Sequence, residues 1–308
     1  MALLCKFDDV RSREWTQLFA QHAPDIDVRI WPDLGDPAEI RYLAAWQPPE
    51  NLMTYFPNLE VLFATSAGVD QFDLAAIPET LPLVRMLDPE ITRGIVEYAT
   101  MAVLSLHRHL PRYQQQQQRQ CWKAHRLIPA CQRRVGVMGL GQLGQAVLGH
   151  LQQYGFLLSG WSRSAHQVPG VTCYAGQDEL QAFLGQSDIL ICLLPLTEQT
   201  QGILCRETFA ALPSGASLIN IGRGKHLIED DLLQALDSNH LEAAFIDVLE
   251  DEPASAEHPF WHHPGITLTP HIAAMTSALG GFEALLANIR RFEANEPMQG
   301  VVDRSTGY

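Results

Sequence analysis

The sequence predicts an α/β protein of two domains, a doubly wound parallel sheet inserted into a smaller α/β unit. Three observations predict it. The chain runs to 308 residues, more than one hydrophobic core comfortably holds. After Arg134, short apolar runs alternate with stretches of helical spacing, in the β-α order of a parallel sheet. Between the first of those runs and the first of those helices stands Gly139-Leu140-Gly141-Gln142-Leu143-Gly144, a turn chemistry that needs a strand before it and a helix after it.

Composition narrows the class. With 46% hydrophobic and 18% charged residues the chain has enough apolar surface to bury and is not a disordered sequence. The formal net charge of -14 disfavours nucleic acid or an anionic membrane as a general partner, so an anionic small molecule would need a local positive site. Cys5, Cys121, Cys131, Cys173, Cys192 and Cys205 lie far apart with no C-x-x-C spacing, the pattern of reduced thiols in a cytoplasmic protein. His258 and His262 stand at H-x-x-x-H spacing, but Pro259 lies between them and the segment reads as a loop, so no metal is expected. The N-terminus turns charged at Lys6, and no apolar run approaches the ~18 residues that span a bilayer, so neither an export signal nor a membrane span is predicted.

The elements follow in order. Leu3 to Phe7, Val28 to Trp31 and Val61 to Thr65 read as short strands separated by helical or proline-containing stretches, the first α/β unit. From Gly94 to about Gln120, Ile95, Tyr98, Ala99, Ala102 and Leu106 have helical spacing and lead into the glutamine run 114–118, predicting one long connecting helix with a solvated polar end. Strands are then predicted at 135–138, 156–161, 188–194, 216–221, 243–247 and 266–269, and helices at 142–154, 178–185 and 229–238. The run Ile189-Leu190-Ile191-Cys192-Leu193-Leu194 has no polar alternation, as expected of a parallel strand covered on both faces. A last helix at about 276–294 is expected to return to the first unit. The predicted domains are therefore 1–95 plus 274–308, and 96–273.

The glycine turn carries the first chemical signal. Gly139 permits the tight turn, Gly141 lets the backbone approach a pyrophosphate, and Gly144 lets the helix pack closely on the sheet, with the anion at the helix N-terminus. A site preferring NAD places an acidic residue ~20 residues further on. Here Phe156 to Trp161 ends in Ser162-Arg163-Ser164, two hydroxyls and a guanidinium suited to a 2′-phosphate, so NADP is favoured over NAD. Leu194 and Pro195 end the next apolar run, and Ile219-Asn220-Ile221-Gly222-Arg223-Gly224 puts an arginine between glycines at the same sheet edge. Leu194, Pro195, Ile221, Gly222 and Arg223 are expected beside the dinucleotide, and Arg223 is a candidate anion clamp.

Two further loops end at that edge. Asp247-Val248-Leu249-Glu250-Asp251-Glu252-Pro253 follows one strand and Thr269-Pro270-His271-Ile272 the last. Together Arg223, Glu252 and His271 supply what reduction of a 2-oxo acid requires: a guanidinium for the carboxylate, a proton donor, and a carboxylate that keeps the donor charged. An isolated imidazole, with pKa near ~6.5, is mostly neutral at pH 7, and a neighbouring carboxylate favours the imidazolium.

In order and spacing, the glycine fingerprint, the Arg223 loop, Asp247 to Pro253 and Thr269-Pro270-His271-Ile272-Ala273 resemble the D-isomer-specific 2-hydroxyacid dehydrogenase family, over essentially the full chain. Trp161-Ser162-Arg163-Ser164, Ser66-Ala67-Gly68-Val69-Asp70 and the ending Val302 to Tyr308 are most similar to its glyoxylate- and hydroxypyruvate-reducing branch. The resemblance implies a Rossmann cofactor domain inserted in a flavodoxin-like substrate domain, and NADPH-dependent reduction of glyoxylate or hydroxypyruvate in a cleft between them. It implies that Arg223 binds the substrate carboxylate, that His271 protonates the carbonyl oxygen with Glu252 as its partner, and that Asp247 holds the nicotinamide carboxamide. Backbone N–H groups of Ala67 and Gly68 would meet the substrate carboxylate, and Trp46 would line the pocket unless it is a buried core residue. A homodimer joined through the cofactor domain is also implied. Two other readings stay open: a related dehydrogenase for a larger or phosphorylated 2-oxo acid, separable by pocket size, and a dinucleotide-sensing binding protein without turnover.

Overall fold

The computed structural model describes residues 2–69, 71–274 and 277–304. The chain divides into two compact units, Met1–Ile91 with Met275–Tyr308, and Thr92–Ala274.

The first unit contains β1 (Ala2–Lys6), α1 (Asp9–His22), β2 (Asp27–Ile30), β3 (Ile40–Ala45), the short α2 (Leu52–Tyr55), β4 (Val61–Ala64) and β5 (Leu83–Val84). All pairings are parallel in the order β2-β1-β3-β4-β5, the flavodoxin-like order. Leu4, Leu43 and Leu62 from neighbouring strands pack with Leu52 and Phe56 on one face. Asp8 opens α1 by accepting from the N–H groups of Val10 and Arg11, which satisfies orphan donors of the first turn. Strands β3 and β5 are not marked by the apolar-run reading of the sequence. Strand β5 is only two residues long, and a backbone bridge from Val84 to Val301 extends its edge.

The second unit begins within α3 (Pro89–His107), followed by α4 (Leu110–Gln118), β6 (Arg134–Met138), α5 (Gln142–Leu151), β7 (Leu157–Ser162), β8 (Thr172–Ala175), α6 (Gly176–Leu184), β9 (Ile189–Cys192), α7 (Arg206–Ala211), β10 (Ala216–Asn220), α8 (Glu229–Asp237), β11 (Leu241–Ile246) and β12 (Ile266–Leu268). Its sheet runs β12-β11-β10-β9-β6-β7-β8, all parallel, and the order reverses between β6 and β9. Ligands of open α/β sheets bind at such a reversal, outside the carboxyl ends of the strands.

The uninterrupted apolar run of β9 has a direct explanation. Ile189 and Ile191 join a cluster with α3 and α5, whereas Leu190 and Cys192 join the opposite cluster with α6, α7 and α8. With both faces covered, no position of the strand meets water.

Three sequence expectations are corrected. The predicted single helix from Gly94 to about Gln120 is two helices: α3 starts earlier, at Pro89, and the chain breaks at His109, which adopts a left-handed φ of 57° with Pro111 just beyond it. A proline has no N–H for the preceding turn, so the helical spacing continues across a point the backbone cannot. The strand predicted at 188–194 ends at Cys192, and Leu193 and Leu194 lie in the following loop. The sheet also has a seventh strand, β8, whose half-exposed edge position gives no apolar run to read.

Helix α9 (Ala278–Glu293) belongs to the first unit, where Phe282 meets Phe19 of α1 edge-on at 4.8 Å and Arg290 pairs with Asp25 at 2.7 Å. Asp70 and Ser305 to Tyr308, quoted above for the resemblance, lie outside the described residues, as does Thr276 at the start of the predicted last helix. No helix of the described residues is long and apolar enough to cross a membrane.

Candidate active site

The glycine fingerprint connects β6 to α5 at the sheet reversal. Gly139 has φ 106°, open to glycine alone, and a Cβ there would come within 2.7 Å of the Leu193 carbonyl oxygen. A Cβ on Gly144 would sit 1.8 Å from the Gly139 carbonyl oxygen, so the tight seat of α5 on β6 requires that glycine too. Gly141 differs: a Cβ there would meet nothing within 4 Å. It is the N-cap of α5, and no side chain caps the helix. A helix start without a side-chain cap suits a phosphate. Gln142 and Leu143 follow in the first turn, while Leu140 is buried in the core.

Strand β7 leads into Ser162-Arg163-Ser164. The Ser162 hydroxyl donates to the Ser164 carbonyl at 2.7 Å, and His166 Nδ1 also donates there at 2.9 Å. Ser162 is thus buried in its own turn, and Arg163 and Ser164 are exposed.

The loops after β9 and β10 are tied together by His226, which is fully buried. Its Nδ1 accepts the N–H of Arg223 at 3.0 Å, which leaves Nε2 to carry the proton donated to the Pro195 carbonyl at 3.3 Å. Gly224 lies so close to Leu249 that a Cβ would come within 1.9 Å of its carbonyl carbon. This approach brings the Arg223 loop beside the loop that carries Glu252.

Glu252 Oε1 accepts the Leu249 N–H at 3.0 Å, and Oε2 meets His271 Nδ1 at 2.8 Å. Burial pushes the Glu252 carboxyl up, but the bonds from His271 and Leu249 outweigh it and leave the pKa below the usual value. For His271 the Glu252 hydrogen bond raises the pKa; burial and the Arg223 charge oppose it, and Asp247 adds to it. Both directions describe one charged pair. His271 itself has a left-handed φ of 54°, uncommon outside glycine. Asp247, buried at the end of β11, accounts for it: its carbonyl accepts the His271 N–H at 2.8 Å, and its carboxylate accepts the Ile272 N–H at 2.9 Å and the Ala273 N–H at 2.8 Å.

A sequence profile for the D-isomer specific 2-hydroxyacid dehydrogenase, NAD binding domain, matches residues 100–273, the span that holds all of these loops. The chain belongs to the D-isomer specific 2-hydroxyacid dehydrogenase family. It is an oxidoreductase of that family. Among its relatives is the glyoxylate/hydroxypyruvate reductase A of Serratia proteamaculans, 41% identical over 305 residues and 96% of each chain. Two solved structures are similar over nearly their full lengths. One is the NADPH-dependent glyoxylate/hydroxypyruvate reductase of Sinorhizobium meliloti in complex with NADP and sulfate, with 34% identity, 100% and 99% coverage and a TM-score of 0.92. The other is the D-isomer specific 2-hydroxyacid dehydrogenase of Xanthobacter autotrophicus Py2 in complex with NADPH and MES, with 36% identity, 99% of each chain covered and a TM-score of 0.91.

The remaining candidates of this dehydrogenase lie in the first unit. Trp46 follows β3 and is 45% exposed, which overturns the alternative of a buried core tryptophan. Ala67 and Gly68 follow the adjacent β4, where the Ser66 hydroxyl donates to the Gly68 carbonyl at 2.7 Å and Gln71 donates to Ser66 at 2.8 Å. Trp46, Ala67 and Gly68 thus share one carboxyl edge of the five-stranded sheet. Reading the sequence missed His226 and the close approach at Gly224. The only signal for them was the Gly-Arg-Gly spacing next to a histidine.

Proposed function

We propose that the protein is an NADPH-dependent reductase that converts glyoxylate or hydroxypyruvate to the corresponding D-2-hydroxy acid. The observation that carries the reading is the His271–Glu252 pair, 2.8 Å apart at the same sheet edge as Arg223. The reduced nicotinamide, when bound, supplies the hydride that adds to the carbonyl carbon. The protein supplies orientation and the proton. With Nδ1 engaged by Glu252, the proton for the carbonyl oxygen sits on Nε2 of His271, and its transfer completes the alcohol. Glu252 holds the imidazolium by charge and hydrogen bond. To Arg223 we assign the substrate carboxylate, with the Ala67 and Gly68 N–H groups as further donors and Trp46 as a pocket wall.

The uncapped start of α5 and the open space at Gly141 suit the pyrophosphate. Gly139, Leu140, Gln142, Leu143 and Gly144 shape that turn, and Leu194, Pro195, Ile221 and Gly222 shape the neighbouring loops. Arg163 and Ser164 suit the 2′-phosphate, with Ser162 fixing their turn. Asp247 Oδ2, which accepts one hydrogen bond from Ala273, is assigned the carboxamide. A cytoplasmic location agrees with six free cysteines and an acidic chain. A homodimer through the cofactor domain is supported by exposed apolar side chains on α3, α4 and the segment beyond: Met101, Leu110, Trp122, Leu127 and Ile128.

The test is His271→Ala beside Glu252→Gln. His271→Ala lowers the turnover number for reduction by roughly 10²-fold or more; near-normal turnover removes it from the mechanism. Because the folded pKa of His271 is raised, the wild type holds its imidazolium to higher pH than a free imidazole does and loses activity as pH rises through that raised value. In Glu252→Gln the alkaline limb moves to lower pH, and an unmoved limb contradicts the pair.

A further inference from the structure

The loop that carries His271 is held by a chain of hydroxyl groups that no part of the reaction touches directly. Tyr98, buried on α3, has its phenol oxygen 2.6 Å from Thr269 Oγ1. Thr269 donates its own proton to Asp247 Oδ1, also at 2.6 Å. A hydroxyl has one proton to give, so once Thr269 donates to Asp247 it accepts from Tyr98. The chain therefore has one polarity: Tyr98 to Thr269 to Asp247. Burial pushes the Tyr98 phenol up to about 12, so it keeps the proton it donates throughout the working range of the enzyme.

The far end of this chain is the residue that fixes three successive N–H groups. Asp247 accepts from His271 through its carbonyl and from Ile272 and Ala273 through its carboxylate. The left-handed backbone of His271 depends on these bonds, because an L side chain there has no intrinsic preference for that conformation. The backbone conformation in turn decides where the ring lies, and the ring must meet Glu252 at hydrogen-bond distance. Oδ1 of Asp247 has two partners, the Thr269 hydroxyl and the Ile272 N–H. Without the hydroxyl the carboxylate can rotate about its own bond, and the two N–H groups lose a fixed acceptor.

We propose that Tyr98 is a positioning residue for His271, acting through Thr269 and Asp247 to hold the proton donor against Glu252. The proposal rests on the reading of His271 as proton donor, and extends it to a side chain remote from that ring in sequence. The charged groups that act on His271 are Glu252 in the loop after β11, Arg223 in the loop after β10, and Asp247 at the end of β11. Of these the Glu252 hydrogen bond has the largest effect and Asp247 the smallest. Loosening the loop therefore lowers the His271 pKa through a weaker bond to Glu252, more than a less compensated Asp247 charge raises it.

The experiment compares pH profiles of kcat/KM for reduction in the wild type, Tyr98→Phe, Thr269→Val, Thr269→Ser and His271→Ala, with the NADPH dissociation constant and thermal midpoint of each. Tyr98→Phe and Thr269→Val lose roughly tenfold in kcat, as misplacement of a reacting group does. Their NADPH binding, to which Asp247 also contributes through the carboxamide, weakens by clearly less than kcat falls, and their alkaline limb moves down by about half a pH unit or more. Thr269→Ser keeps the hydroxyl and recovers most of both changes. Wild-type kcat and an unmoved limb in Tyr98→Phe overturn the proposal, as does a kcat loss matched by equal weakening of NADPH binding, the mark of a merely loosened domain. If His271→Ala retains turnover, the proton-donor reading fails instead. Loss in His271→Ala with wild-type behaviour in the other variants overturns the relay alone.

Discussion

At the amino end of the seven-stranded sheet, Asp188 before β9 accepts the backbone N–H of Arg134 at 2.9 Å and its Nε at 3.1 Å, and the ion pair closes across two adjacent strands. At the carboxyl end of the same sheet the groups are arranged differently. Gly139 and His271 have positive φ, the start of α5 has no side-chain cap, and Arg163 is exposed. Both ends arise from the same strands and the same two-sided core. At the amino end Arg134 and Asp188 satisfy each other within the protein, whereas the carboxyl end leaves the start of α5 without a side-chain cap and holds His271 in a left-handed backbone. The difference teaches that the carboxyl edge is shaped for an occupant, because the fold alone requires neither an open helix start nor a strained histidine.

Three substitutions sharpen this contrast. The largest effect on the fold is expected from Gly144→Ala, whose methyl group would lie 1.8 Å from a backbone oxygen. Overpacking of this kind costs about 1–3 kcal/mol or more, read as a lower thermal midpoint with impaired dinucleotide binding. Gly141→Ala should do the opposite, leaving the midpoint within a degree or two while weakening NADPH binding by about tenfold, ~1.4 kcal/mol. Equal behaviour of the two alanines would break the distinction between a glycine needed by the fold and one needed by a ligand. Asp188→Asn, at the other end, should lower stability by about 1–3 kcal/mol near neutral pH without changing NADPH affinity. Burial raises the Asp188 carboxyl, but the bonds from Arg134 win and leave its folded pKa lowered. Its stabilisation is thus fully present above the unfolded value of ~3.9 and is lost as pH falls through the lower folded value. The difference between wild type and variant should shrink over that window, which urea unfolding at several pH values would follow.

The same contrast explains what the sequence could disclose. The glycine fingerprint is legible because its requirements are local: a turn, a close packing and an approach lie within six residues, between a strand and a helix. Arg223, Glu252 and His271 are legible as residues that follow core strands and together supply what 2-oxo acid reduction requires, but their contact was not legible, because each loop lies far from the others in sequence. The break at His109 was hidden because helical spacing runs through it. The Tyr98–Thr269 bond joins side chains 171 positions apart, and nothing in either neighbourhood marks it. Trp46 and the β4 loop were placed by resemblance, since an exposed tryptophan and a buried one look alike in a sequence.

The most direct test of the central claim is the rate of NADPH and NADH oxidation with glyoxylate, hydroxypyruvate and pyruvate, in the wild type and in Arg163→Ala. The account predicts turnover of glyoxylate or hydroxypyruvate that is faster with NADPH, and a preference for NADPH over NADH that falls by roughly tenfold in the variant as one charge-assisted contact is lost. Tight dinucleotide binding with no turnover of any of the three acids would contradict it.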